Sequence, residues 1–253
     1  MAPLMETELT LPAPAHGIAR TLQRRRDLVV NPREHLGHAR TQFEKHGTVM
    51  LPTIHEPHIC SRILRMLPSV QPVLATRILE PSHRQDLPVY SGGYVSSLID
   101  TTWKCVAPVL EPIVGPDPEV VELSCMISFP GAKQQAPHPD VRQEDGQAEM
   151  LSIFIPLCDQ TYDMGPLLVW PGTQNGTPPE LPMRDVVPMF SDAGSVILMN
   201  SKVYHCGGAN VSNKPRPVLY FTLKGDGPMP GGSTRSILPE LSGQRLSDFV
   251  PKF

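Results

Sequence analysis

The sequence predicts an α+β fold, with helices in the first half and a β-sandwich or jelly roll in the second. Three observations carry that expectation. Before about residue 118 the apolar positions recur at helical spacing, and beyond it they alternate with period two. Clusters of Gly, Pro, Asp and Asn cut the second half into five or six short strands. At 253 residues and 40% hydrophobic content, the chain has material for one sizeable core.

Residues 1–32 start Pro/Ala-rich and read as a loose arm, whose Arg24-Arg25-Arg26 run beside Asp27 is a solvated face. From Arg33 the pattern turns helical through Leu36, Ala39 and Phe43, and Gly47 suits the left-handed position that ends a helix. TVMLPTI is a short β-type run. EPHICSRILRML follows as a helix, with Pro57 in its first turn and Ile59, Ile63, Leu64 and Leu67 on one face. A third helical pattern, Val95, Leu98, Ile99, Trp103, Val106 and Leu110, ends near Pro112 and Gly115. These elements make up a helical part at 33–117.

The β core occupies 118–224. VELSCMISF puts Val121, Leu123, Cys125, Ile127 and Phe129 on one side and Glu122, Ser124, Met126 and Ser128 on the other, a half-buried strand. AEMLSIFIPL, GPLLVWPG, GSVILMN, KVYHCGG and RPVLYFTLKG are further β runs. Segment 176–188 reads as a Pro-rich loop, and the tail 225–253 as a surface wrap.

A net charge of −3 offers no basic face, which excludes nucleic acid as an expected partner. Five cysteines without a C-x-x-C pair suit a reducing compartment. No apolar run reaches membrane-spanning length, and the N-terminal residues lack a signal-peptide pattern, so the expected location is cytoplasmic. A small-molecule substrate is the expected partner; oligomeric state is not legible.

QAPHPDVR, residues 135–142, sets His138 and Asp140 on either side of Pro139. Alone this is a polar turn as readily as a ligand pair, because Pro fixes φ and both side chains suit water. Its weight depends on partners. The other histidine of the β half is His205, at a strand end in KVYHCGG, 65 residues beyond Asp140. A jelly roll pairs early with late strands, so it is able to unite them. Two imidazoles and a carboxylate on one face of an octahedral ion leave three positions open, which suits non-haem Fe(II) oxygenases. Cys206 is expected to point to the opposite strand face. A 2-oxoglutarate co-substrate chelates iron through its keto acid and needs a cation at its far carboxylate. Arg216, eleven residues past His205, supplies a guanidinium for two parallel hydrogen bonds.

At these residues the chain resembles the phytanoyl-CoA dioxygenase family of Fe(II)/2-oxoglutarate-dependent oxygenases, over roughly residues 40–224. FEKHGTVMLPTIHEPHIC looks like that family's opening helix, strand and second helix, and PGAKQQAPHPD like its first metal-ligand segment. GPLLVWPGTQ resembles its strand ending in Pro-Gly-Ser/Thr. AGSVILMNSKVYHCGGANVSNKPRP resembles its distal-His and Arg segment. The resemblance implies a double-stranded β-helix (jelly roll) core with N-terminal helices packed on it, in one domain at 33–224. It implies Fe2+ held by His138, Asp140 and His205 as the catalytic set. It also implies 2-oxoglutarate held by Arg216, with Gln135 and Thr173 beside it.

The implied activity consumes O2 and oxidises a small organic molecule, releasing succinate and CO2. Hydroxylation of an unactivated C–H bond is the default outcome, since Asp140 fills the position that a halide would need. Met164 stands where the family often has Asn before Gly-Pro-Leu, a departure that bears on substrate. Two other readings stand beside this one. A hydrolase would use Zn2+ on the same three ligands and leave Arg216 without a role. A non-catalytic jelly-roll module would bind a small acid or a protein. Trp170 and Tyr204 either line a substrate pocket or pack as strand aromatics. His16, His35, His38, His46, His55 and His58 show no ligand pattern and are expected to be solvated.

Overall fold

In chain order the elements are α1 (Leu36–His46), β1 (Thr48–Leu51), α2 (Pro57–Val70), β2 (Arg77–Glu80), β3 (Arg84–Pro88) and α3 (Gly93–Val114). Then come β4 (Glu119–Ser128), β5 (Met150–Pro156), β6 (Leu167–Val169), β7 (Val187–Pro188), β8 (Val196–Asn200), β9 (His205–Gly207), β10 (Arg216–Lys224) and α4 (Leu246–Phe249). This computed structural model describes residues 25–31, 36–70, 77–80, 83–142, 147–176 and 180–249.

The helices form where apolar spacing predicts them. α3 buries Val95, Leu98, Ile99, Val106, Val109 and Leu110 along one stripe, and it continues through Pro108 and Pro112. α1 stops at Gly47, which takes φ +68° and donates its N–H to the Phe43 carbonyl at 2.7 Å. A Cβ there would run into Val203 and Gln174, so only glycine fits both the turn and the close approach.

Seven strands form one antiparallel sheet in the order β1-β8-β5-β10-β4-β3-β2, and three form a second in the order β7-β6-β9. This is the double-stranded β-helix arrangement. Period two then divides β4, β5 and β10 of the large sheet. Leu123 and Cys125 of β4, Leu219, Phe221 and Leu223 of β10, and Leu151, Ile153 and Ile155 of β5 pack with α1, α2 and α3 into the main core. Truncating a fully buried aromatic such as Phe221 costs about 3–5 kcal/mol. The alternate residues face the small sheet, and a cavity lies between.

Several expectations need correction. The nominally helical part contains β2 and β3 as well as β1, and the 176–188 loop contains β7. Residues 1–24 lie outside the described residues, but 25–31 are not loose. Val30 donates to the Met50 carbonyl at 2.9 Å, Leu28 is buried, and the Arg25 guanidinium sits 3.9 Å from the Phe190 ring centroid. The tail is no surface wrap either. Leu238, Leu241, Leu246 and Phe249 join the main core, because Ser236 O and Gln244 O accept from Leu123 N and Val120 N and hold the tail along β4. His55 is buried rather than solvated. Its Nε2 lies 2.8 Å from Thr102 Oγ1, and burial lowers its pKa to about 4. No helix among the described residues is long and apolar enough to cross a membrane.

Candidate metal centre and cavity

His138 lies just before a turn and His205 opens β9, yet their backbones pair as an isolated antiparallel bridge. His138 N donates to His205 O at 2.9 Å, and His205 N returns the bond at 3.0 Å. Two residues on, Asp140 N donates to Ser201 O at 2.9 Å, which sets its side chain on the same face as His138. The ligand atoms of His138, Asp140 and His205 all lie within 4.8 Å of one another.

Both imidazoles are oriented alike. His138 Nδ1 lies 2.8 Å from Ala136 O, and His205 Nδ1 lies 2.9 Å from Val203 O. A carbonyl only accepts, so Nδ1 carries the proton in each ring and Nε2 keeps its lone pair. This carbonyl anchoring is the usual orientation of a metal-binding histidine. His205 Nε2 lies 3.4 Å from Asp140 Oδ1. Burial works against the Asp140 charge, but the charge that His205 carries when protonated, with a smaller part from His138, outweighs it and holds the carboxyl below its ordinary pKa. For His205, burial is outweighed in the same way by Asp140, and the net shift is upward. The donor set, two imidazole nitrogens with free lone pairs and one carboxylate oxygen, fits a divalent transition metal.

The cavity holds about 320 Å³ and is lined by both sheets. Across the large sheet, Arg84, Ser128 and Arg216 stand opposite one another on β3, β4 and β10. Arg84 Nε and Arg216 Nη2 both donate to Ser128 Oγ, at 3.1 and 3.0 Å. Burial and the neighbouring Arg84 charge pull the Arg216 pKa down to about 10, which leaves it cationic at neutral pH. Its Nε is buried with no acceptor among the described residues, so the guanidinium is prepared for an incoming anion. Gln135 Oε1 accepts from Gly207 N at 2.8 Å and lines the same cavity.

Thr173 is not brought there. Its hydroxyl donates to Trp170 O at 2.7 Å and accepts from Tyr204 N at 2.8 Å, which ties a turn to the residue that precedes β9. Trp170 packs with Leu168, Val186 and Cys206, and its indole donates to Pro182 O, so it serves packing. Tyr204 is partly buried against the same cluster.

Sequence reasoning missed Arg84, Asp86, Glu122, Gln160 and Tyr220, all of which line the cavity. Asp86 accepts hydrogen bonds from Ser124, Tyr220 and Ser236. Glu122 accepts from Thr222 at 2.7 Å and Thr234 at 2.6 Å. Burial, with some help from the Asp140 charge, pushes its pKa up to about 7. A signal was present. The half-buried reading of VELSCMISF leaves its polar side open, and that side carries Glu122 and Met126 into the cavity. Arg84 and Asp86 alternate in RQDLP in the same way.

A family profile described as phytanoyl-CoA dioxygenase (PhyH) matches residues 75–218, a span that includes His138, Asp140, His205 and Arg216. Among solved structures, the chain is similar to the non-heme alpha ketoglutarate dependent epimerase SnoN from nogalamycin biosynthesis. The TM-score is 0.59 at 15% identity, covering 75% of this chain and 83% of that one. EvdO2 from Micromonospora carbonacea var. aurantiaca gives 0.58 at 15% identity, over 77% of this chain and 93% of that one. HygX from Streptomyces hygroscopicus gives 0.58 at 14% identity, over 82% and 97%. At these identities the likeness is one of fold.

Proposed function

The chain belongs to the phytanoyl-CoA dioxygenase family of Fe(II)/2-oxoglutarate-dependent oxygenases, and from that premise we propose that it hydroxylates an unactivated C–H bond of a small organic molecule. The observation that carries the reading is the meeting of His138, Asp140 and His205 in a cavity that also presents Arg216. In this reading the three side chains hold Fe2+ through His138 Nε2, His205 Nε2 and the Asp140 carboxylate. Arg216 and Arg84 grip the far carboxylate of 2-oxoglutarate, and the Gln135 amide borders it. When bound there, the metal and co-substrate supply the oxidising chemistry, in which O2 is consumed and succinate and CO2 leave.

The protein's own contribution is orientation and exclusion. Ala136 O and Val203 O fix both ring tautomers. Phe154, Leu167, Ile197 and Val218 form the apolar part of the wall and keep bulk water from the reacting carbon. Relatives of the same fold support the reading. The HygX structure holds nickel, 2-oxoglutarate and hygromycin B, and one SnoN structure holds Fe3+, alpha ketoglutarate and nogalamycin RO. Other solved structures of this fold are described as an epimerase and a carbocyclase. Hydroxylation is the outcome proposed here.

The test is succinate release from 2-oxoglutarate across a metabolite library, with iron and with iron withheld. Iron-dependent release stimulated by some compounds, with an added oxygen in the product, is expected. Release that ignores iron, or none with any compound, would overturn the proposal.

A further inference from the structure

The order of strands decides what surrounds Arg216. β10 lies between β4 and β5, so Arg216 has Ser128 and Arg84 on one flank and the chain leaving β5 on the other. Val218 pairs with Pro156, and Leu157 N donates to Pro217 O at 3.1 Å, which carries that chain alongside Arg216. Burial raises the Cys158 thiol while the Arg216 charge pulls it down, so the two lie close. Gln160 follows two residues later, where its backbone N–H donates to Ser191 O at 2.9 Å. This end of the cavity therefore brings a carboxamide to the guanidinium groups of Arg84 and Arg216.

Gln160 is only 7% exposed and lines the cavity, and its side-chain amide has no hydrogen-bond partner among the described residues. Buried amides are normally satisfied. At the same end Arg216 Nε is buried without an acceptor. Arg84 and Arg216 each spend one donor on Ser128 Oγ. A carboxylate accepts at about four sites, so it has room for a neutral donor beside the charged ones. The bland use of the amide is local, since Ser191 Oγ is also buried without a partner.

We propose that Gln160 is a further co-substrate residue, its Nε2 donating to the far carboxylate of 2-oxoglutarate on the flank of Arg216 opposite Arg84. The proposal rests on the oxygenase reading for the identity of the anion. A neutral donor adds recognition without more positive charge, where two guanidinium groups already exceed one carboxylate. Gln160 thereby helps to select a 2-oxo acid with a second carboxylate over one without.

The test is calorimetric titration of the full chain, first with Ni2+ and then, once loaded, with 2-oxoglutarate or 2-oxopentanoate. The second acid carries a methyl group where the first has its far carboxylate. Gln160→Leu should weaken 2-oxoglutarate by about tenfold or more, as expected for one hydrogen bond to a charged group. Ni2+ and 2-oxopentanoate should stay within about twofold. Gln160→Glu sets one carboxylate against another and should weaken 2-oxoglutarate by about 100-fold or more, again sparing Ni2+. Ser191→Ala should leave 2-oxoglutarate within about twofold. Undiminished 2-oxoglutarate affinity in Gln160→Leu, an equal loss for Ni2+ or 2-oxopentanoate, or the same loss in Ser191→Ala overturns the proposal. Where 2-oxopentanoate binds too weakly to titrate, Ni2+ and Ser191→Ala are the deciding controls. If Gln160→Leu does not fold, Gln160→Met, which keeps the side-chain length, is read in its place. Failure of the metal-loaded wild-type protein to bind 2-oxoglutarate would strike the oxygenase reading itself. Wild-type binding with no response at Gln160 strikes this inference alone.

Discussion

His138 and His205, 67 residues apart in the chain, exchange both of their backbone hydrogen bonds, and their rings lie 4.8 Å apart between centroids. Each ring is also anchored the same way, through Nδ1 to the carbonyl two residues earlier. The site is thus held by main chain before any ion arrives. Side-chain truncation should remove ligands without dismantling the frame.

His205→Ala keeps the backbone pair and removes one imidazole. Affinity for Fe2+ or Ni2+ should fall by about 100-fold or more, with the melting temperature of the metal-free protein little changed. Metal titration followed by calorimetry checks this, and succinate release should vanish with it. Retained affinity would remove His205 from the site.

Arg216→Ala should act on the co-substrate. Losing charge-assisted hydrogen bonds to a carboxylate costs about 3 kcal/mol, or roughly 150-fold in apparent 2-oxoglutarate affinity. The fold should tolerate the change, because Arg84 and Arg216 are like charges sharing one hydroxyl and removing one relieves the other. An unchanged 2-oxoglutarate dependence would mean that another cation holds the carboxylate.

Gly207→Ala tests the space beside the arginines. A Cβ there would lie 2.7 Å from Gln135 Oε1 and 3.4 Å from Arg84 Nη2. Gln135 must then move, and the expected result is weaker 2-oxoglutarate binding, by about tenfold, with metal affinity retained. Equal loss of both affinities would indicate general damage to β9.

His55 sets a pH dependence of stability. In the folded chain its pKa is lowered to about 4 by burial, against an ordinary value of 6.5. Above pH 6.5 it is neutral whether folded or unfolded and costs nothing. As pH falls from 6.5 towards 4 the unfolded chain takes up a proton that the folded chain refuses, so stability drops, by about 3 kcal/mol in all. Urea unfolding between those pH values should show the decline, and His55→Gln should flatten much of it. An unaltered slope in the variant would assign the decline to other groups.

What the sequence by itself determined was local chemistry. Helical spacing in α2 and α3, the alternation of β4 and the His-x-Asp turn all follow from neighbouring residues, and family resemblance joined His205 and Arg216 to them. Strands β2 and β3 were not legible, since RQDLP is short and largely polar, and a strand inside a bilayered fold need not show an apolar face to the reader. The tertiary structure decided which polar faces meet water and which meet each other. Glu122 and Ser128 look alike as outward residues of one strand. Only the second sheet, laid across them, turns one into a carboxylate wall and the other into the hydroxyl shared by two arginines. Thr173 shows the converse. Its position in the Pro-Gly-Thr turn suggested a co-substrate contact, but neighbouring backbone groups already claim its hydroxyl. Burial and partner are non-local quantities, fixed by which strands pair, and no local pattern encodes them.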